Sequence, residues 1–171
     1  MITNIHARTF PGADPDAVGA LLDSAGQADD RVWPKNGRWP PMVLDGPLTD
    51  LPAGGHGLVR YHTVDHSPGV RVVWRFEDEL GLDGTHELTR YAGVDGPGLR
   101  HTISARPVGP MRLLWPLVVR PLHDQCLEDL LDQASVELGI DVVPTDPSRW
   151  VRFLLRVGPS PEREEELASK R

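Results

Sequence analysis

A histidine beside an aspartate, three residues ahead of the chain's single cysteine, is a combination that can do acid–base or thiol chemistry. It occurs in the stretch RPLHDQCLEDLLDQA, Arg120 to Ala134, as His123, Asp124 and Cys126. A thiolate next to an imidazole is a nucleophile with its base, and an aspartate behind the imidazole would orient it. Helical spacing separates these roles. Positions i, i+3, i+4 and i+7 share a face, which aligns His123 with Cys126, Leu127, Leu130, Leu131 and Ala134. Asp124, Glu128 and Asp132 then form an opposite, solvent-facing row, so the neighbouring aspartate points away from the histidine. A cysteine on a leucine-rich stripe reads as a small, inert core residue. The stretch reads better as a core helix than as a catalytic cluster.

Further histidines fall on apolar faces of strand-like runs. In GLRHTISARP, strict alternation sets Leu99, His101, Ile103 and Ala105 against Arg100, Thr102, Ser104 and Arg106. RVVWRFE places Val72, Trp74 and Phe76 inward in the same way. THELTRY sets His86 and Leu88 on one side with a less clear register. In GGHGLVRYHT neither face wins: His56, Leu58, Arg60 and His62 oppose Gly57, Val59, Tyr61 and Thr63. His101 and His123 are thus expected to face one interior, with His86 a third member and His56 a fourth. Polar groups buried in this way need hydrogen-bond partners or a ligand.

The elements that must position these residues follow in a definite order. ITNIHARTF reads as a strand and ADPDAVGALLDSA as a helix, with Asp14 capping it before Pro15. DDRVWPKNGRWPPMVLDGPL is too rich in proline and glycine for a long helix; it suggests a turn or two of helix, then a loop and a strand. Four strand-like runs follow from Gly54, parted by HSPG, LGLDG and DGPG turns, the pattern of an antiparallel meander. The longest helix extends from about Pro110 to Leu138. The glycines of GGHG lead into a strand and so offer no helix N-terminus to a phosphate. Trp33 and Trp39 bracket the PKNGR loop, where they either stack on a ligand or cap the core. Beyond Leu138, SRWVRFLLRVG aligns Trp150, Phe153, Leu154 and Val157 on one helical face and Arg149, Arg152 and Arg156 on another. This short helix suits packing on its own domain, or on a second copy in a homodimer, better than a membrane. Glu162 to Glu166 is a solvated charge run.

Composition narrows the classes. A chain of 171 residues, 39% hydrophobic and 25% charged, can bury one sizeable core. A net charge of −7 and the scarcity of lysine argue against nucleic acid as a partner. One cysteine excludes an intrachain disulfide and multi-cysteine metal centres. The start MITNIHARTF lacks the features of a leader, and no apolar run approaches the roughly 20 residues of a membrane helix, so a cytoplasmic protein is expected.

The order strand, helix, short helix, meander, long helix over about Ile2 to Leu138 resembles the helix-grip fold of the START-like or SRPBCC superfamily. VWPKNGRWPPMVLDGPL, GGHGLVRY and PLHDQCLEDLLD resemble segments of a little-characterised actinobacterial branch grouped with polyketide cyclases and dehydrases. The resemblance implies an α+β domain over residues 1–139, with a curved antiparallel sheet wrapped around the long C-terminal helix, and a tail over 140–171. It also implies a pocket between them for an apolar or aromatic small molecule. MVLDGPL is needed to complete the usual strand count. Trp74, Phe76, His86, His101 and His123 are the expected pocket residues, with Arg60, Trp33 and Trp39 at its polar end or mouth. Three functions stay open: a carrier of a small hydrophobic or aromatic molecule, a polyketide-like cyclase or dehydratase using the histidines as acid and base, and a metal site of His86, His101 and His123. No metal or other cofactor is expected, because those histidines show no carboxylate behind them, and the inward rows contain no carboxylate, which favours binding over catalysis.

Overall fold

A computed structural model describes residues 1–158; the Glu162 to Glu166 run lies outside the described residues. Strand β1 (Ile2–Thr9) is followed by α1 (Pro15–Asp23), which starts where expected: Asp14 accepts the Asp16 N–H, and Pro15 opens the first turn. Strands β2 (Met42–Leu44), β3 (Ala53–His56), β4 (Val59–Ser67), β5 (Arg71–Phe76), β6 (Leu82–Gly93) and β7 (Gly96–Pro107) complete one antiparallel sheet. Its order is β1-β7-β6-β5-β4-β3-β2, so a sequential meander is closed at one edge by the N-terminal strand. The short β2 supplies the strand that the meander lacked.

The expected turn of helix ahead of β2 does not form. Residues 27–41 are bends and turns, organised by Asp30, whose carboxylate accepts the N–H groups of Gly26, Val32 and Trp33 at 2.7–2.9 Å. A side chain that takes three backbone donors gives the chain an alternative to helical bonding.

After β7 the chain enters a long helical segment made of α2 (Met111–Leu114), a π turn (Trp115–Val119) and α3 (Arg120–Glu137). Pro121 cannot donate to the Leu117 carbonyl four residues back, and that carbonyl takes the indole N–H of Trp150 at 2.8 Å. Trp150 belongs to α4 (Arg149–Val157), which buries Val151 and Leu154 while Trp150, Phe153 and Val157 stay largely exposed. No helix among the described residues is long and apolar enough to cross a membrane.

The sheet packs one face on α1 and α3. Phe10, Leu21, Leu22, Val72, Leu88, Leu99, Leu131 and Ala134 form the larger core, and Phe76, Leu82, Ile103, Ala105, Met111 and Trp115 a smaller one. Helix α1 approaches the β4–β5 turn so closely that a Cβ on Gly19 would stand 2.9 Å from the Gly69 carbonyl oxygen. Asp23 at the helix end fastens the same turn, accepting from the Gly69 N–H at 2.7 Å. This is the helix-grip arrangement: an antiparallel sheet gripping a long C-terminal helix.

Candidate functional site

Period-2 alternation on four adjacent strands brings Thr63, Trp74, Phe76, His86 and His101 to the face that meets α3, with all of them buried. His86 lies opposite Trp74 in the ladder. Its ring stacks on Trp74 (5.0 Å, 25°) and on Phe76 (4.7 Å, 15°) and stands edge-on to Tyr61 at 4.7 Å. His86 Nδ1 is 3.2 Å from His101 Nε2, and the His101 and His123 rings are 5.1 Å apart. An unbroken run of imidazoles therefore extends from β6 through β7 to α3. At the other end, His56 lies 3.2 Å from the Tyr61 hydroxyl, with Trp33 4.8 Å away.

Burial sets the charge state of this run. It lowers the pKa of His56 to about 4 and pushes His86 and His101 well below the ordinary histidine value, with neighbouring imidazoles adding in the same direction. Burial lowers His123 too, against an upward pull from Asp124. A neutral imidazole donates from one nitrogen only, so the His86–His101 contact uses one proton and leaves the far nitrogens over. Among the described residues, Thr63 Oγ1, Trp74 Nε1, His86 Nε2, His101 Nδ1 and His123 Nδ1 are buried without a hydrogen-bond partner. Each such group costs about 1–3 kcal/mol if left unpaired.

The row Asp124, Glu128, Asp132 is not solvent-facing, as its helical position suggested. Strand β1 covers it with the side chains of one face, Asn4, His6 and Arg8. Asn4 Nδ2 donates to Asp124 at 2.9 Å; His6 contacts Asp124 through Nε2 at 3.0 Å and Glu128 through Nδ1 at 2.9 Å; Arg8 bonds Glu128 and Asp132. Nor does the aspartate point away from the histidine beside it: Asp124 Oδ1 is 3.9 Å from His123 Nδ1, close but beyond hydrogen-bond reach. Burial pushes the Asp124 carboxyl up, but His123, His6 and Asn4 facing it outweigh this and hold it below the ordinary carboxylate range. His6 and Asn4 were not singled out in the sequence; the alternation of polar side chains at positions 4, 6 and 8 is the signal that reveals them.

Other expected site residues are dispersed. Arg60 is exposed on the outer face, because Tyr61 and Thr63 take the inward positions of β4. Trp39 donates its indole N–H to Asp129 on α3 at 2.8 Å, and Asn36 and Arg38 bond the same carboxylate, so Trp39 anchors its loop. Trp33 donates to the Pro40 carbonyl and packs on the core beside His56. Cys126 is buried and burial pushes its thiol up, consistent with a core residue. His86, His101 and His123 do not bring one ring nitrogen each into a common metal sphere; among the described residues the group that does is His6, His123 and Asp124. Outside that group lies a groove of about 460 Å³ lined by Arg120, Pro121, Asp124, Gln125, Glu128 and Ser148, among others. A second hollow, of about 470 Å³, lies by Pro15 and the β6–β7 hairpin, whereas between sheet and α3 the rings stand in mutual contact.

Comparison with solved structures places this geometry among known folds. CalU16 from Micromonospora echinospora superposes with a TM-score of 0.54 at 17% identity, covering 98% of this chain and 85% of that one. A Thermobifida fusca protein gives 0.59 at 14% identity over 85% of this chain and all of the other. The Aha1 dimer from Colwellia psychrerythraea gives 0.51 at 13% identity over 81% and 98%. The likeness is one of fold. No protein-family model and no curated protein sequence matches the chain.

Proposed function

We propose that this chain is a member of the SRPBCC superfamily that holds a small aromatic or apolar molecule between the sheet and α3, with residues 1–139 as the binding domain and the remainder as a tail. The observation that carries the reading is the set of unpartnered buried groups on neighbouring elements, Thr63 Oγ1, Trp74 Nε1, His86 Nε2, His101 Nδ1 and His123 Nδ1. A hydrophobic core has no use for such a row, whereas a ligand with a hydroxyl or carbonyl end satisfies several of its members at once. Trp74, Phe76 and Tyr61 supply aromatic faces for the ligand body. The rings touch one another, so the ligand enters as the loop over residues 31–41, which abuts His56 through Trp33, moves outward.

Titration with naphthol, followed by tryptophan fluorescence and by the thermal midpoint, tests the reading. Saturable quenching is expected, with a midpoint that rises with ligand concentration by mass action. His101→Phe keeps the ring and removes the polar atoms, and is expected to weaken binding about tenfold, the worth of one hydrogen bond. An unchanged midpoint across naphthols, anthraquinones and long-chain alcohols would sink the proposal. A second reading, a cyclase or dehydratase, is favoured by the Asp124 carboxylate 3.9 Å from His123 at the end of the imidazole run. Mass spectrometry of the bound compound separates the two: a change in mass or retention lost in His123→Gln supports catalysis, and unchanged compound supports a carrier.

A further inference from the structure

His6 stands in an unusual position: both of its ring nitrogens face carboxylates, Nδ1 toward Glu128 at 2.9 Å and Nε2 toward Asp124 at 3.0 Å. A neutral imidazole satisfies only one of these contacts, and at the other its lone pair meets a carboxylate lone pair. A cation seated at Nε2 removes the conflict. With its Nδ1 proton given to Glu128, the ring presents the Nε2 lone pair to the cation, the carboxylate–histidine arrangement that stands behind metal-bound imidazoles. A second imidazole faces the same oxygen: His123 Nδ1, buried and unpartnered, lies 3.9 Å from Asp124 Oδ1.

We propose that His6, His123 and Asp124 form a binding site for a first-row divalent cation, Zn2+ being the best fit to two imidazoles and one carboxylate. One donor atom from each residue lies within 4.8 Å of the others. Tetrahedral ligands held about 2.0–2.1 Å from zinc stand roughly 3.4 Å apart. The two distances to Asp124, 3.0 and 3.9 Å, lie on either side of that value. Beside the set, Asn4 is more than nine-tenths buried and donates its amide N–H to Asp124 at 2.9 Å, which holds that carboxylate in place. Two nitrogen donors disfavour Mg2+ and Ca2+, which take oxygen shells. Asp124 also lines the groove shared with Glu128 and Arg120, and three protein ligands leave a fourth position for water or a small anion. The expectation of no metal rested on histidines without a carboxylate behind them, and β1 sets a different histidine, His6, against the carboxylates of α3.

The test is zinc titration of tag-free protein, stripped with a chelator and assayed in competition with a chromogenic chelator. One equivalent is expected to bind with submicromolar affinity and to raise the thermal midpoint; Co2+ in its place should give the visible absorption of a low-coordinate nitrogen–oxygen site. Asp124→Asn and His6→Gln should each weaken binding at least a hundredfold, and Glu128→Gln by about 10–100-fold. His62→Gln, on the outer face of the sheet, should leave it unchanged. Because those variants also lose contacts between β1 and α3, imidazole NMR of the unmutated protein gives an independent readout: zinc should shift His6 and His123 and spare His62. Micromolar or weaker binding, equal affinity in Asp124→Asn, or zinc-induced shifts at His62 in place of His6 would each overturn the assignment. His123 Nδ1 is common to both readings, but naphthol is absent from this titration and His6 and Asp124 belong to the metal set alone, so failure of one proposal is distinguishable from failure of the other.

Discussion

Lowering the pH should destabilise this protein well before its carboxylates are protonated. His56 and His86 are neutral when buried, His56 with a pKa of about 4 and His86 well below the ordinary value, and burial is the main cause for both. The groups facing His86 are Tyr61, Trp74, Phe76 and His101, and those facing His56 are Tyr61 and Trp33; none is a carboxylate that would stabilise an imidazolium. In the unfolded chain both titrate near 6.5, so below that pH unfolding takes up protons and stability falls as the pH falls. Above about pH 7.5 the two contribute nothing; at pH 5.5 each has removed about 1.4 kcal/mol, roughly 3 kcal/mol together, a large share of the 5–15 kcal/mol typical of a domain. His101 adds in the same direction. Urea denaturation at pH 7.5, 6.5 and 5.5 measures the slope. His86→Leu, stacked on Trp74 and Phe76, should flatten it by about one proton without loss of stability at pH 7.5. A wild-type stability constant between pH 7.5 and 5.5, or an unchanged slope in His86→Leu, would show that these imidazoles are not held neutral by burial.

Two other substitutions probe how the scaffold holds the site. Gly19→Ala places a methyl group 2.9 Å from the Gly69 carbonyl oxygen, a backbone atom that cannot rotate away, and should cost about 1–3 kcal/mol in urea denaturation; a neutral result would mean that α1 is free to shift off the β4–β5 turn. Asp129→Ala removes the acceptor shared by Asn36, Arg38 and Trp39 and strands an indole N–H, for an expected loss of about 2–4 kcal/mol and faster tryptic cleavage at Arg38. Unchanged cleavage would show that the loop is held by Trp33 alone.

Legibility in the sequence followed the strength of side-chain patterning. GLRHTISARP alternates strictly, and its inward residues, including His101, are those that the structure buries; RVVWRF buries the inward Val72, Trp74 and Phe76 as expected, and the outward Val73 as well. Helical spacing likewise aligned His123 with Leu127, Leu130, Leu131 and Ala134. The β2–β3 edge was harder to read, because its pairing is carried by backbone. Gly54 lies so close to β2 that a Cβ there would fall 2.3 Å from the Val43 carbonyl oxygen, and glycine has no hydropathy to alternate. The Arg60 assignment failed in the same strand system, where GGHGLVRYHT offers a histidine and a leucine to one face and a tyrosine and a threonine to the other. Tyr61 went inward because its ring packs at an angle on Trp74 and edge-on to His86 and its hydroxyl reaches His56, contacts that pattern alone does not reveal.

The metal-site residues were hidden for a different reason. A helical wheel says which residues share a face, not what covers that face, and a row of Asp124, Glu128 and Asp132 looks solvated when α3 is considered alone. Its cover is polar too, so neither element carries an apolar stripe at the contact. What joins them is spacing. Four residues of helix advance about 6.0 Å and two residues of strand about 6.7 Å. A carboxylate at every fourth position of α3 therefore keeps step with a donor at every second position of β1 for three rungs, with a drift of about 0.7 Å per rung. The contacts show that drift as a stagger: Asn4 meets Asp124, His6 bridges Asp124 and Glu128, and Arg8 bridges Glu128 and Asp132. The middle rung falls beside His123, and it is the rung whose donor is an imidazole rather than an amide or a guanidinium. Asparagine binds cations weakly and arginine repels them, so of the three positions only the one occupied by His6 turns an ion-pair ladder into a ligand set.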